Sequence, residues 1–401
     1  MAYIIVPRYL NFRKIYNLNK INDPQIGLIL RYYLIYVFII SNIFAKDFYE
    51  GDSLVREGVY AFYDYEFDRS VEILSEAKDK YFNHPGVHMI WAASRWVQAK
   101  AVYSTEKSNQ VLEEDLENIK TTYKILIDKY EHDPNYRLYQ GSAIGLSARV
   151  TLGKKQWLRT LYRAYLGFSI IDDIAENHPQ IFDVHLPIGI IEYYSGISNN
   201  LLKWAVRAYG LNPSVESGLN GIELSAEEGD WSWIEAKGIL SYLYLWVEDD
   251  PILAHKHSKD LVENFPNNYY FNILYLESLI KMKKTNEIKD RIAHLDSTFK
   301  KLYPRQKEWY LPYLNYEKAL NAFYQKDYRK VIDLLDKTIN SYSSELDIIL
   351  GNALLLKGMT FDMMNQRIEA KSNYIKCRKL DNLSLSMKKA DRYLSIPYQG
   401  R

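Results

Sequence analysis

Eight histidines and one cysteine are the residues of this 401-residue chain with the widest chemical range. His255 and His257 lie two apart in a helical stretch, so they point to different faces and cannot share a metal. His84 and His88 have ligand-like spacing, but Pro85-Gly86 breaks the helix that would align them. His178 precedes Pro179 at a helix end, where the macrodipole favours an imidazolium. Cys377 is alone, which leaves no partner for an internal disulfide or a Cys-based zinc site, and it falls on a core-facing position where a thiol is inert. The pairs Glu227-Glu228 and Asp249-Asp250 read as solvated or capping turn residues. Gly218-Leu-Asn-Gly221 is too short for a phosphate loop and follows no strand, and no Gly-x-Ser-x-Gly elbow occurs. The expectation is no catalytic residue, no metal, no cofactor and no enzyme activity.

Aromatic residues are the stronger signal, with 36 tyrosines. In KKQWLRTLYRAY, Trp157, Arg159, Tyr162, Arg163 and Tyr165 alternate cations with rings, a pattern for cation–π contacts. A net charge of +1 argues against nucleic acid as the partner. In LLKWAVRAY, Lys203 and Arg207 lie on one helical side and Leu201, Trp204 and Tyr209 on the other. That pattern fits an interfacial membrane helix, and more simply a helix packed on its neighbours.

The elements that must position these residues are helices. Proline (12) and glycine (18) are scarce, and Val/Thr-rich alternating runs are few. Four helix ends are marked by runs that stop at Pro85, Pro134, Pro179 and Pro266. The one uncharged apolar run, YYLIYVFIISNIFA at 32–45, is short for a span of about 20 residues and suits a signal-peptide core. A cleaved export signal, an uncleaved anchor and a buried helix all remain open for it. Residues 1–45 are therefore set apart as a leader with a signal peptide or membrane anchor.

Beyond it, small residues recur twelve apart across short polar turns. Gly58 and Ser70 flank Asp64-Tyr65-Glu66-Phe67-Asp68, and Gly358 and Ala370 flank Asn365-Gln366. Ala319 and Val331 share the spacing around Lys326-Asp327-Tyr328; Ala254 and Pro266 are also twelve apart, from a second helix to the proline that ends it, and Ile288 follows Ala254 by 34 residues. Each pair across a turn marks where two helices of a hairpin come close, and neither helix is long enough to be stable alone. This pattern resembles the tetratricopeptide repeat, a 34-residue helix–turn–helix unit. The match is specific for about five hairpins and loose over 86–234. The middle block is also similar to exported bacterial repeat proteins and to a repeat family linked to inclusion clearance at the mitochondrial outer membrane.

The resemblance implies an all-α solenoid of tetratricopeptide-like hairpins, divided as repeats at 46–135, a degenerate block at 136–234 and repeats at 235–401. It also implies that the first helix of each hairpin lines a concave groove, which would place Phe62, Tyr63, Trp246, Tyr270, Tyr313, Tyr316, Phe323 and Tyr324 there, with Glu277 and Lys281 among them. The expected function is a non-enzymatic protein-binding scaffold of a bacterial envelope, exported, periplasmic or membrane-associated, whose sparsely charged groove takes an apolar or extended segment. The alternative is an envelope or outer-membrane assembly component acting through lipid contact or self-association at 186–210.

Overall fold

The computed structural model describes residues 49–153, 156–198, 203, 207, 213–343, 347–380 and 384–400. The chain divides into two units, 1–52 and 53–401, and the described hairpins lie in the second, with Asp52 at its boundary. The leader at 1–45 lies outside the described residues.

Among the described residues there are seventeen α-helices and no strand. They follow one another as hairpins: α1 (Asp52–Tyr63) with α2 (Phe67–Lys80), α3 (Val87–Val102) with α4 (Thr105–Lys129), α5 (Pro134–Gly153) with α6 (Trp157–Asn177), and α7 (His185–Ile197) with α8 (Val215–Glu228). Then come α9 (Trp233–Trp246) with α10 (Pro251–Asn264), α11 (Tyr269–Lys281) with α12 (Thr285–Phe299), α13 (Pro304–Tyr324) with α14 (Tyr328–Ser341), and α15 (Ile348–Met363) with α16 (Arg367–Arg378). A last helix, α17 (Leu385–Ser395), packs on α15 and α16.

The turns explain why the chain reverses where it does. Among the described residues five non-glycines have positive φ: Tyr65, Asp249, Lys283, Lys326 and Asn365, each in the turn of a hairpin, and the small-residue spacing brackets three of those turns, at Tyr65, Lys326 and Asn365. At four of them the following amide bonds a carbonyl five residues back: Glu66 to Ala61, Lys284 to Leu279, Asp327 to Ala322 and Gln366 to Phe361, at 2.8–3.0 Å. This closes the first helix with a left-handed cap and satisfies its last carbonyls. Asp327 then caps α14 through Lys330 N, and Asp250 caps α10 through Ile252 N and Leu253 N. The small residues do what their spacing implies. A Cβ on Gly358 would stand 2.4 Å from the Tyr374 ring, and Ser70 Oγ donates to the Gly58 carbonyl at 2.8 Å.

Residues 134–228 lack that spacing, yet they pair by closer contacts. A Cβ on Gly167 would lie 2.7 Å from the Gly141 carbonyl, and one on Gly218 would lie 2.4 Å from Tyr193 N. Backbone meets backbone there, so nothing can rotate away.

First helices carry more of the interior than second helices. From Tyr269 to Ile280, α11 is buried on every side except at Tyr270, whereas α14 buries only Val331, Leu335 and Thr338. One core runs from Val59 of α1 to Leu356 of α15. The array is not an open row. The α1–α2 turn meets the starts of α9, α11 and α13: Asn268 Nδ2 donates to Tyr63 O (2.7 Å), Asn267 Nδ2 to Asp64 (2.7 Å), and Tyr303 OH to Asp68 (2.7 Å). Arg56 pairs with Asp230 at 2.7 Å.

Gly218→Ala is expected to destabilise the protein by about 1–3 kcal/mol through overpacking. Gly145→Ala, in a helix position with open space around it, is expected to stabilise by about 0.5–1 kcal/mol. Thermal unfolding of the two variants checks this, and equal shifts would contradict the close packing of α7 on α8.

Candidate functional site

The α1–α2 turn brings Tyr63 and Tyr65 against residues far along the chain. Tyr63 OH donates to Glu235 Oε1 at 3.1 Å, and its ring stacks on Phe271 (6.4 Å, 16°). Tyr65 OH and Tyr310 OH are 2.6 Å apart. Tyr270 meets Tyr313 edge-on at 6.5 Å, and Tyr310 meets Tyr313 the same way at 6.0 Å. Tyr242 pairs with Tyr194 through its hydroxyl and stands edge-on to Trp246 at 5.0 Å. Such ring pairs contribute about 0.5–1.5 kcal/mol each beyond the area they bury.

These tyrosines are only half-buried, yet burial pushes the phenols of Tyr63, Tyr65, Tyr270 and Tyr313 well above their ordinary range. Tyr310 is pushed up to about 12 for the same reason. Glu235 is exposed, and its carboxyl is also raised by desolvation, with the Tyr63 hydrogen bond and Arg149 opposing. These rings and hydroxyls stand side by side, each partly accessible and flanked by protein. At neutral pH the phenols there stay protonated, so each presents a ring face and a hydroxyl.

Beside this wall lies a buried polar network. Glu277 and Glu317 are both 0% exposed. Trp246 Nε1 donates to Glu277 Oε2 at 2.6 Å, and Lys281 Nζ lies 3.1 Å from Glu277 Oε1. Lys281 also donates to the Leu245 carbonyl (2.8 Å) and faces Asp249 (3.9 Å), which Lys389 of α17 holds at 2.6 Å. Burial works against the Lys281 cation, but Glu277 and Asp249 outweigh it and raise its pKa. Glu317 has the opposite fate: burial, then the neighbouring Glu277, lift its carboxyl well above the usual range, with Lys281 opposing.

Of the expected groove residues, the structure brings Tyr63, Tyr270 and Tyr313 together on the wall. Phe62 is half-buried beside them, edge-on to Tyr63 at 4.9 Å. Trp246 (1% exposed), Tyr316 and Phe323 are core residues: Trp246 packs on Tyr242 and bonds Glu277, and Phe323 packs on Tyr328 and on Tyr398 near the C-terminus. Tyr324 is 45% exposed and lies near Lys281, Tyr316 and Tyr398. Tyr65, Tyr242, Tyr310 and Glu235 complete the wall and escaped the repeat register. The three-residue step from Tyr310 to Tyr313 is the trace they leave in the sequence.

The other candidates fall elsewhere. His257 is buried with Nε2 3.0 Å from Glu223, and His255 lies 3.2 Å from both Ser278 Oγ and Lys284 Nζ. Cys377 is buried, and burial pushes its thiol up to about 11. In the cation–ring segment Arg163 donates to the Ser147 carbonyl, while Tyr162 and Tyr165 are exposed and the side chain of Trp157 lies outside the described residues. Lys203 is half-buried and Arg207 exposed, whereas Leu201, Trp204 and Tyr209 lie outside the described residues. Among the described residues no helix is long and apolar enough to cross a membrane, and no group of three His, Cys, Asp or Glu is placed to hold a metal.

No family model and no curated protein matches this chain. Among solved structures it is similar to a tetratricopeptide repeat protein from Parabacteroides merdae ATCC 43184, with a TM-score of 0.41 and 13% identity over 72% of this chain and 95% of that one. The fold is tetratricopeptide-like. The hairpins themselves make it so: left-handed turns at Asp249 and Lys283 stand 34 residues apart, and small residues sit where helices approach.

Two substitutions probe the network. Glu277→Gln leaves the Lys281 cation buried without its carboxylate and is expected to cost about 3–5 kcal/mol in chemical denaturation. Glu317→Gln works the other way. A carboxyl raised in the folded state binds a proton that the unfolded chain has released, so stability falls as pH rises from the ordinary glutamate value toward the folded one. The slope is about 1.4 kcal/mol per pH unit. The glutamine variant should lack this slope and be more stable than wild type at pH 7; matching pH profiles would contradict a neutral Glu317.

Proposed function

We propose that this chain is a non-enzymatic scaffold that holds a segment of a partner protein against its tyrosine wall. The observation that carries the reading is the convergence of Tyr63, Tyr65, Tyr242, Tyr270, Tyr310 and Tyr313 from four hairpins into one partly exposed cluster. Tyrosine combines a large rigid face with a hydrogen-bonding tip, the combination that anchors interfaces. A partner with few charges and an extended backbone suits it, because the wall offers rings and hydroxyls with Glu235 and Arg149 as its charges. The apolar run at 32–45, with basic residues before it, supports a place in a bacterial envelope after export.

Extended peptides selected by phage display on the full chain provide the test. Tyr270→Ala with Tyr313→Ala is expected to weaken capture at least thirtyfold, about 2 kcal/mol for loss of a hot spot, with unchanged helicity. Tyr162→Ala on the outer face should leave capture intact. Equal capture by wild type and the double variant would sink the reading.

A further inference from the structure

The helices that carry the wall also carry the buried acids. Tyr242 and Trp246 are four residues apart on α9, Tyr270 and Glu277 seven apart on α11, and Tyr313 and Glu317 four apart on α13. Each spacing keeps both residues on one helix face, so wall and network lie one to two turns apart along the same three helices. Both oxygens of Glu317 and Oε1 of Glu277 are enclosed without an N–H or O–H donor among the described residues. Glu277 has Lys281 as its ion pair, and the two carboxyls lie within hydrogen-bonding reach of each other once one of them carries a proton. A proton or a metal ion can reconcile two carboxyls placed so. No third metal ligand stands near among the described residues, and Lys281 already supplies the cation to Glu277. That leaves the proton.

We propose that Glu317 is a proton-operated switch that sets the packing of α9, α11 and α13, and through it the spacing of Tyr242, Tyr270 and Tyr313 on the wall. With the proton in place, Glu277 pairs with Lys281 and Trp246 undisturbed. When the proton leaves to solvent, a second negative charge stands in the interior with no new partner. The charges acting on Glu317 are those of Glu277 and Lys281, both from α11, and Lys281 is already shared among Glu277, Asp249 and the Leu245 carbonyl. The nearby phenols of Tyr269 on α11 and Tyr316 on α13 are held protonated by burial and contribute no charge. Lys318, the next residue, is held at 2.6 Å by Asp296 of α12. Ionised Glu317 must therefore separate from Glu277 or admit water, and either movement displaces α13 against α11.

This regulation rests on the wall being the partner surface, but it can be read without a partner. The full chain, carrying isotope-labelled Trp and Tyr, is titrated by NMR while the Trp246 indole N–H and the Tyr270 and Tyr313 rings are followed. Because Glu235 on the wall is also raised and acts on Tyr270, the titration is run with Glu235→Gln in both chains. The expected result is one transition shared by Trp246 and both rings above the ordinary glutamate range, absent when Glu317→Gln is added, whose spectrum matches the acid form throughout. Infrared absorption of a protonated carboxylic acid, lost across the same transition in the Glu235→Gln chain, supplies a readout that does not need Glu317→Gln. An absent transition, or the same transition in Glu317→Gln, overturns the proposal, as does a transition that moves Trp246 but leaves both tyrosine rings still. Selected peptides should bind at least tenfold more weakly above the transition. A failure of every peptide to bind at any pH overturns the scaffold reading alone, because the ring resonances still report the switch.

Discussion

Helix α11 cannot be buried by its own hairpin. Its sides are covered by α9, by α13 and by the turn that joins α1 to α2, roughly two hundred residues earlier. Short helices gain little from propensity alone, so each hairpin depends on apolar area supplied by the next one. In an open array the first helices would keep one face in water. Here the first hairpin folds back onto them, and Val59 joins the same core as Leu356.

That closure explains the character of the inner surface. Where the turn of α1–α2 meets the starts of α9, α11 and α13, the contacts are mostly tyrosine hydroxyls, amides and one ion pair rather than aliphatic side chains. The result is a wall whose tyrosines are half-buried, with desolvation raising their phenols. One to two turns further along the same helices, enclosure becomes complete. There the polar groups either pair, as Trp246, Glu277 and Lys281 do, or give up their charge, as Glu317 does. A neutral buried acid is an expensive residue to keep, and a leucine of similar size would pack there without that cost.

Much of the local architecture was legible in the residues. Gly58 with Ser70 and Gly358 with Ala370 located two hairpins because small side chains at a close crossing leave a spacing that survives divergence. Residues 134–228 were harder to read, since Gly141–Gly167 and Gly189–Gly218 approach at other separations. The site is legible only in part. Repeat register says which helix face points inward, and Tyr63, Tyr270 and Tyr313 stand on that face partly exposed. Register says nothing of what covers the face, and Trp246, Tyr316 and Phe323 are buried there. The bond between Tyr65 and Tyr310 joins residues 245 apart, and no local pattern encodes such a contact.

Hydrogen exchange on the intact protein tests the closure most directly. If α1 and α2 are part of the same cooperative core as α9 to α13, their slowest amides open together with those of α11, at one free energy and one denaturant dependence. Were α1 and α2 to open separately and far more readily, as the end of an open array does, the enclosed wall and the account built on it would be contradicted.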